Sequence, residues 1–339
     1  MPDLLDKQDF EDEFSGALKI LVDAENEGRK AAQDGFKKIF FVGCGAPYQM
    51  MKSINYWADR FCSTVNVRTY HAGEFVDLDP AALDEQAIVF MGSHSGTTWE
   101  VITAAEFLKG KSCKTLAFTQ NADSPLASAV DRVFAYGASK QGYFSSLMLT
   151  LAFTSGFLSA TEKRWPDHQE LMSSLRGLPG ALADAKLKAV EKGRAAAKKL
   201  RGEECVYFIG SGAMFTTAYI FAACFLMEMQ WMHAFPLSAA EFFHGPFEVF
   251  DKDTPVVLML GEDPSRPETE RVLAFFRKYL NEPVVYDSRK FEMAGISQTM
   301  RAILAPFILD SAMTTLVEHL ANLNQHPLTT RRYMGQVEY

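Results

Sequence analysis

The sequence predicts an α/β protein made of two doubly wound parallel-sheet domains, with an N-terminal helix before them and a C-terminal tail after them. Three observations carry this. Short apolar runs alternate with helical stretches, the pattern of parallel strands joined by right-handed crossovers. Two of the runs end in Gly-x-Gly, at Gly43-Cys44-Gly45 and at Gly210-Ser211-Gly212, 167 residues apart. The apolar run at 256–260 follows the one at 88–91 by 168 residues. A pattern that restarts at nearly one spacing reads as an internal duplication.

Residues 3–34 read as an amphipathic helix, with Leu18, Leu21, Val22 and Glu25 at helical spacing, inside an N-terminal segment 1–34. The first domain, 35–165, opens with a buried strand running into Gly43, then a helix at 48–60. Strands follow at 65–70, 87–91, 115–119 and 133–135, with helices at 97–108 and near 125–130 and a long apolar helix at 142–161. Trp165-Pro166-Asp167, Gly177 and Pro179-Gly180 mark 161–180 as a linker. The second domain, 181–325, begins with an Ala- and Lys-rich helix at 181–200, and the tail is 326–339.

Composition narrows the function. At 339 residues, 48% hydrophobic and 22% charged, the chain has material for two ordinary cores. A net charge of -8 argues against a nucleic-acid or anionic-membrane surface. Five scattered cysteines without CxxC spacing suggest neither a disulfide framework nor a zinc cluster, and fit a reducing cytoplasm. The acidic N-terminus lacks the shape of a signal peptide. The apolar stretches 143–160 and 216–235 are broken by hydroxyl or charged residues and read as buried helices, so no membrane partner is expected.

The stretch 88–100, IVFMGSHSGTTWE, carries the first chemistry. A strand enters Gly92, and a loop of Ser93, His94, Ser95, Gly96, Thr97 and Thr98 opens a helix, with Thr97 and Glu100 spaced as a capping box. Hydroxyls, free N–H groups and a helix dipole suit an oxyanion such as phosphate. A well-capped strand–helix turn has the same sequence, and the loop alone fits both. Its counterpart in the second half, 261–269, carries Glu262, Asp263, Pro264 and Pro267, which repel an anion or lack N–H donors.

The second half offers carboxylate and imidazole instead. Glu228 lies in an apolar helix expected from 214 to 232, where desolvation raises a carboxylate toward a working base. His244 stands in Glu241-Phe242-Phe243-His244-Gly245-Pro246, with Gly-Pro ending a helix beside the imidazole. A structural acceptor and a packed histidine are equally consistent with these residues, and His233 and Glu241 carry the same ambiguity.

With these motifs together, the chain resembles the double sugar-isomerase (SIS) domain proteins. That group includes the isomerase half of glucosamine-6-phosphate synthase and the deglycases that split phosphorylated Amadori compounds. The resemblance spans nearly the whole chain: Gly43-Cys44-Gly45, the loop 93–98, Asp123-Ser124-Pro125-Leu126, Gly210-Ser211-Gly212 and the Glu…Glu-x-x-His-Gly-Pro block. Met227-Glu228-Met229-Gln230-Trp231, Gly245-Pro246-Phe247-Glu248 and the tail HPLTTRRYMGQVEY look like the fructose-asparagine and fructoselysine 6-phosphate deglycases. Pro47 departs from the synthase, which has a serine there.

The resemblance implies flavodoxin-like SIS domains and a phosphorylated sugar-amine substrate gripped at its 6-phosphate by Ser93, Ser95 and Thr98. It places Gly43, Cys44, Gly45, His94, Ser211 and Glu241 among the substrate-binding residues. Glu228 becomes the general base or acid at the sugar carbons, and His244 the proton donor and acceptor at the sugar oxygen. It further implies a homodimer with the site at the subunit interface, where either subunit could supply His244. No cofactor or metal is expected, because the histidines lack ligand spacing. The rival readings are an aldose–ketose or amino-sugar phosphate isomerase and a non-catalytic sugar-phosphate regulator. The amine stays open, and Arg331, Arg332 and Tyr339 are either its carboxylate partners or part of a solvated tail.

Overall fold

The N-terminal segment is two helices, α1 (Lys7–Asp12) and α2 (Ser15–Gln33), separated by a turn at Glu13 and Phe14. The computed structural model describes residues 5–338, so residues 3 and 4 of the expected helix and Tyr339 of the tail lie outside the described residues. The chain divides into two compact units, one of Gln8–Pro179 with Gly295–Met300, the other built on Gly180–Ala294 and the chain from Arg301 on.

The first unit holds β1 (Lys38–Gly43), α3 (Gly45–Phe61), β2 (Asn66–His71), α4 (Ala72–Leu78), β3 (Ala87–Gly92), α5 (Trp99–Leu108), β4 (Lys114–Thr119), α6 (Pro125–Ser128), β5 (Arg132–Ala135) and α7 (Gly142–Thr161). Its strands form one parallel sheet in the order β2-β1-β3-β4-β5. Every residue of β3 is buried, as a strand covered on both faces must be. Phe40, Val42, Val89 and Met91 pack with Phe75, Val101 and Ala105 on one face. On the other, the Phe90 ring lies 4.9 Å from that of Phe153 in α7.

Of the stripe expected of helix α2, only Leu21 is buried. Ala17, Leu21, Ala24, Gly28 and Ala31 face inward, while Val22 is 45% exposed. The small residues win because α2 and α7 approach backbone to backbone. A Cβ on Gly28 would stand 2.0 Å from the Phe153 carbonyl oxygen, and one on Gly156 2.1 Å from that of Glu25.

The expected linker is largely helix. From His168 to Leu200 the chain forms one helix, α8, with Pro179 inside it. A proline removes one intrahelical hydrogen bond, yet Leu171, Leu175, Leu178 and Leu182 stay buried along the helix on both sides of it. Packing overrides the local breaker, and the division between the units falls at this proline.

The second unit contains β6 (Cys205–Gly210), α9 (Met214–Tyr219), β7 (His233–Ser238), β8 (Val256–Leu260), α10 (Arg266–Tyr279), β9 (Val284–Asp287) and α11 (Arg301–Asn324). Its parallel sheet runs β7-β6-β8-β9, the same order as β2-β1-β3-β4, so the duplication is present in topology. Gly45 and Gly212 share a left-handed backbone at φ +56 and +53.

Three expectations fail here. The helix after β6 is not one α-helix to 232: it widens into a π-helix at Ile220–Met229 and ends there. Strand β7 follows, in a stretch with no expected strand; Pro236 masks it, and the edge position of β7 tolerates the missing N–H. Residues 239–245 form turns, so Gly245-Pro246 begins a 3₁₀ turn and ends no helix. Helices α7 and α11 are long and apolar enough to cross a membrane by length and composition, and 83% and 89% of those windows are buried, as in core helices.

Candidate active site

In a sheet ordered 2-1-3-4-5 the crossovers change direction between β1 and β3, which opens a crevice at the carboxyl ends of those strands. Gly43 and Gly92 pair in register there, so Gly43-Cys44-Gly45 and the loop 93–98 leave the sheet side by side. Burial, and the nearby Glu100 charge, push the Cys44 thiol up from its ordinary pKa despite N–H donors from Ala72 and Gly73.

The loop is organised by its own hydroxyls. Ser93 Oγ is 2.8 Å from Thr98 Oγ1 and accepts from the Gly96 N–H at 3.1 Å. Ser95 Oγ accepts from the Thr97 N–H at 3.1 Å and from Thr97 Oγ1 at 2.8 Å. Gly96 sits at φ +69, where a Cβ would lie 2.3 Å from Ser124 Oγ. Ser93 is buried, Thr98 half-buried and Ser95 exposed.

The capping box does not form. Helix α5 starts at Trp99 with Thr98 as N-cap, and the Thr98 side chain makes no cap hydrogen bond to its first turn. Thr97 and Thr98 turn their hydroxyls to the loop, which leaves first-turn N–H groups without a side-chain cap among the described residues, at the positive end of a ten-residue helix. That arrangement can accept an oxyanion.

His94 projects from the same loop, with Nδ1 2.6 Å from the Tyr136 hydroxyl. Burial of the ring lowers its pKa, although the residue as a whole is exposed. A Cβ on Gly142 would stand 2.2 Å from the imidazole, so that glycine makes room for it. Nothing in the sequence ties Tyr136 to this loop; only the pairing of β4 with β5 brings it there.

The matching crevice of the second unit is filled from within. Asp263 is buried, and its Oδ1 accepts from the Ser265 N–H at 2.9 Å and from Ser265 Oγ at 2.5 Å. Ser211 Oγ donates to the Ser265 carbonyl at 2.9 Å and lies 2.8 Å from Thr269 Oγ1. A Cβ on Gly212 would be 2.7 Å from Asp263 Oδ1. A carboxylate of the chain occupies the cradle, and the Ser211 hydroxyl is engaged within it.

Glu228 stands one residue before the end of the π-helix, a winding that is rare and recurs at functional sites. It lines a cavity of about 600 Å³ together with Met227, Trp231, His233, Arg331 and Arg332. Burial raises its pKa, and the Arg331 guanidinium, 2.8 Å away, pulls it back in part. The sequence did not pair Arg331 with Glu228. The tail is brought there by contacts such as Gln230 Nε2 donating to the His326 carbonyl at 2.8 Å.

Glu228 and His244 flank β7 in the chain, Glu228 before its first residue and His244 after its last. His244 and Glu241 are exposed, in a turn where the His244 N–H donates to the Glu241 carbonyl at 3.0 Å.

Comparison with known proteins gives the family. The SIS domain family matches residues 36–160. The chain is 34% identical over 303 residues to the fructosamine deglycase FrlB of Bacillus subtilis, covering 89% of this chain and 92% of that one. The protein belongs to the SIS domain family. Two further relatives are similar over comparable lengths. The fructoselysine 6-phosphate deglycase of Escherichia coli is 32% identical over 89% of this chain and 87% of its own. The agropine synthesis conjugase of Rhizobium rhizogenes is 30% identical over 96% of this chain and 95% of its own.

Proposed function

We propose that the protein is a deglycase that cleaves a 6-phosphorylated fructosamine conjugate to glucose 6-phosphate and the free amine. Glu228 carries the reading: a carboxylate with its pKa raised by burial, in the wall of a cavity of about 600 Å³, in a chain similar to deglycases along most of its length. The crevice loop of Ser93, Ser95 and Thr98 takes the phosphate at the remote end of the sugar. Binding energy gained there positions the reacting carbons.

The chemistry reverses an Amadori rearrangement. A proton delivered to the ring oxygen, as the anomeric hydroxyl gives up its own, opens the sugar to the 2-ketone, and His244 serves this step. Glu228 removes a proton from C1 of the 1-amino-1-deoxy-2-ketose while the C2 oxygen takes up the proton released at ring opening, leaving the enaminol. Protonation at C2 gives the Schiff base of glucose 6-phosphate. Water adds at C1, the C–N bond breaks, and the amine leaves with a proton. Each general acid or base contributes typically about 10²–10⁴-fold. With Glu228 before β7 and His244 after it, the site is completed by His244 of a second copy, hence a homodimer.

The test is direct. Purified protein is incubated with a synthetic fructosamine 6-phosphate, and glucose 6-phosphate is read through a coupled dehydrogenase. Release of sugar phosphate and amine in equal amounts is the expected result. Interconversion of hexose phosphates without amine release identifies an isomerase, and binding without turnover a regulator; either overturns the reading. The similarity to a conjugase favours a second reading, the same proton transfers run toward condensation. Net formation of conjugate from sugar phosphate and amine would favour it.

A further inference from the structure

The second unit holds another cavity, of about 820 Å³, that shares no lining residue with the one at Glu228. It opens at the carboxyl ends of β8 and β9: Leu260 ends the first of these strands, Asp287 ends the second, and both line it. Open α/β sheets bind their ligands outside the carboxyl ends of the strands. The first sheet continues past β4 with β5, whereas among the described residues the second stops at β9.

Five cations line this cavity against two carboxylates, in a chain whose net charge is -8. Both carboxylates are already engaged by Arg266, which is only 7% exposed. Its guanidinium donates to the two Asp287 oxygens at 2.8 Å, to Glu270 Oε1 at 2.7 Å and to the Gly261 carbonyl at 2.7 Å. A guanidinium has five N–H donors, and these bonds use four of them. The fifth, on Nη2, has no partner among the described residues. The Lys192 ammonium stands 4.9 Å from the Tyr286 ring; neither it nor Lys290 is in an ion pair among the described residues. Burial lowers the Lys192 pKa, and the Asp287 charge offsets this only in part, so an anion beside the ammonium would be stabilising. Between the cations the wall is apolar, made by Leu260, Leu273 and Val285. A bare anion leaves that wall uncovered, and a ligand with an apolar body covers it.

We propose that this cavity is a binding site for an organic phosphate. The phosphate group meets Lys192, Lys290 and the unused donor of Arg266, and the apolar body lies on Leu260, Leu273 and Val285. The site is separate from the crevice loop 93–98, which belongs to the other unit, and it stands apart from the deglycase reading.

The test is calorimetric titration of the full chain at low salt with adenosine 5′-monophosphate, a phosphate on a flat and largely apolar body. Binding is expected at one equivalent per chain, weakened about tenfold or more in the double variant Lys192→Gln with Lys290→Gln. That variant should keep the wild-type melting temperature, since neither lysine is in an ion pair; Arg266 is left in place because it ties α10 to β9. Ribose 5-phosphate and inorganic phosphate, which leave the apolar wall bare, should each bind about tenfold more weakly than the nucleotide. Ser95→Ala with Thr98→Ala should bind the nucleotide as wild type does, which separates this site from the crevice loop. Absence of nucleotide binding, binding that survives loss of both lysines, binding lost with the loop hydroxyls, or inorganic phosphate held as tightly as the nucleotide each overturns the inference. Binding is read without turnover, so none of these results bears on the deglycase reading.

Discussion

The Nδ1 of His94 and the hydroxyl of Tyr136 lie 2.6 Å apart, joining the loop after β3 to the residue that follows β5. Burial pushes the Tyr136 pKa up, so the phenol stays protonated. The contact holds the imidazole either with the phenol donating to Nδ1 or with Nδ1–H donating to the phenol oxygen. Burial favours the neutral form of this ring, which the Tyr136 contact orients.

Tyr136→Phe should therefore weaken phosphate binding without stopping the chemistry. Loss of one orienting hydrogen bond, about 1 kcal/mol, raises KM about fivefold and leaves kcat within about twofold. His94→Gln keeps a neutral donor and should bind more tightly than His94→Ala. The lowered His94 pKa fixes the sign of the pH effect. KM stays flat above the ordinary imidazole value of 6.5, and the contribution of this residue changes only at lower pH. Steady-state kinetics across pH 5–8 read this range, and a Tyr136→Phe enzyme with wild-type KM shows that the contact orients nothing.

The loop hydroxyls make a second prediction. Ser95→Ala with Thr98→Ala removes two donors from the crevice and the partner of Ser93 Oγ. At about 1 kcal/mol or more for each contact to a dianion, KM rises on the order of tenfold to a hundredfold, with the larger loss in binding. An unchanged KM places the phosphate elsewhere.

Much of this was legible in the sequence, and the exceptions share a cause. Strands β1 and β3 are continuous apolar runs closed by glycine, and burial on both faces leaves such a run few other fates. Loop 93–98 was visible because hydroxyls at the start of a helix have few uses. The sequence failed where a distant contact overrode a local signal. Pro179 reads as a break, but leucines on both sides keep α8 whole. Pro236 reads as a bar to strand, but β7 is an edge. Residues 220–229 form a π-helix without any composition that distinguishes it from an α-helix. The pairs Glu228–Arg331 and His94–Tyr136 join residues 103 and 42 apart, and no local pattern encodes either.

Glu228→Gln tests the base. The amide is nearly isosteric and still accepts a hydrogen bond from Arg331, so the fold and the melting temperature should hold. It cannot take the C1 proton, and turnover should fall by about 10²-fold or more. Retention of more than about a tenth of the wild-type rate removes Glu228 from that role. In wild type, the acid limb of kcat/KM should lie above the ordinary carboxylate value of 4.5, because burial raises the pKa and a base is active only when deprotonated.

Glu162 makes a prediction about stability alone. It is buried just past the end of α7. Its Oε1 accepts from the N–H groups of Thr64 and Val65, both at 2.7 Å, and its Oε2 from that of Ser63 at 3.0 Å. Burial alone would raise its pKa, but these donors and the Thr64 hydroxyl outweigh burial and hold it down to about 2, against an ordinary 4.5. The unfolded chain therefore binds this proton more readily than the folded one. The stabilisation is fully present above pH 4.5 and is lost as pH falls from there toward 2. Glu162→Gln keeps the shape but not the charge, and should cost about 2–3 kcal/mol near neutral pH. The gap between wild type and variant, read from urea unfolding midpoints, should then close as the solution is acidified through that window. A gap of constant size from neutral pH down to pH 2 would mean that the carboxylate charge contributes nothing to holding residues 63–65 in place.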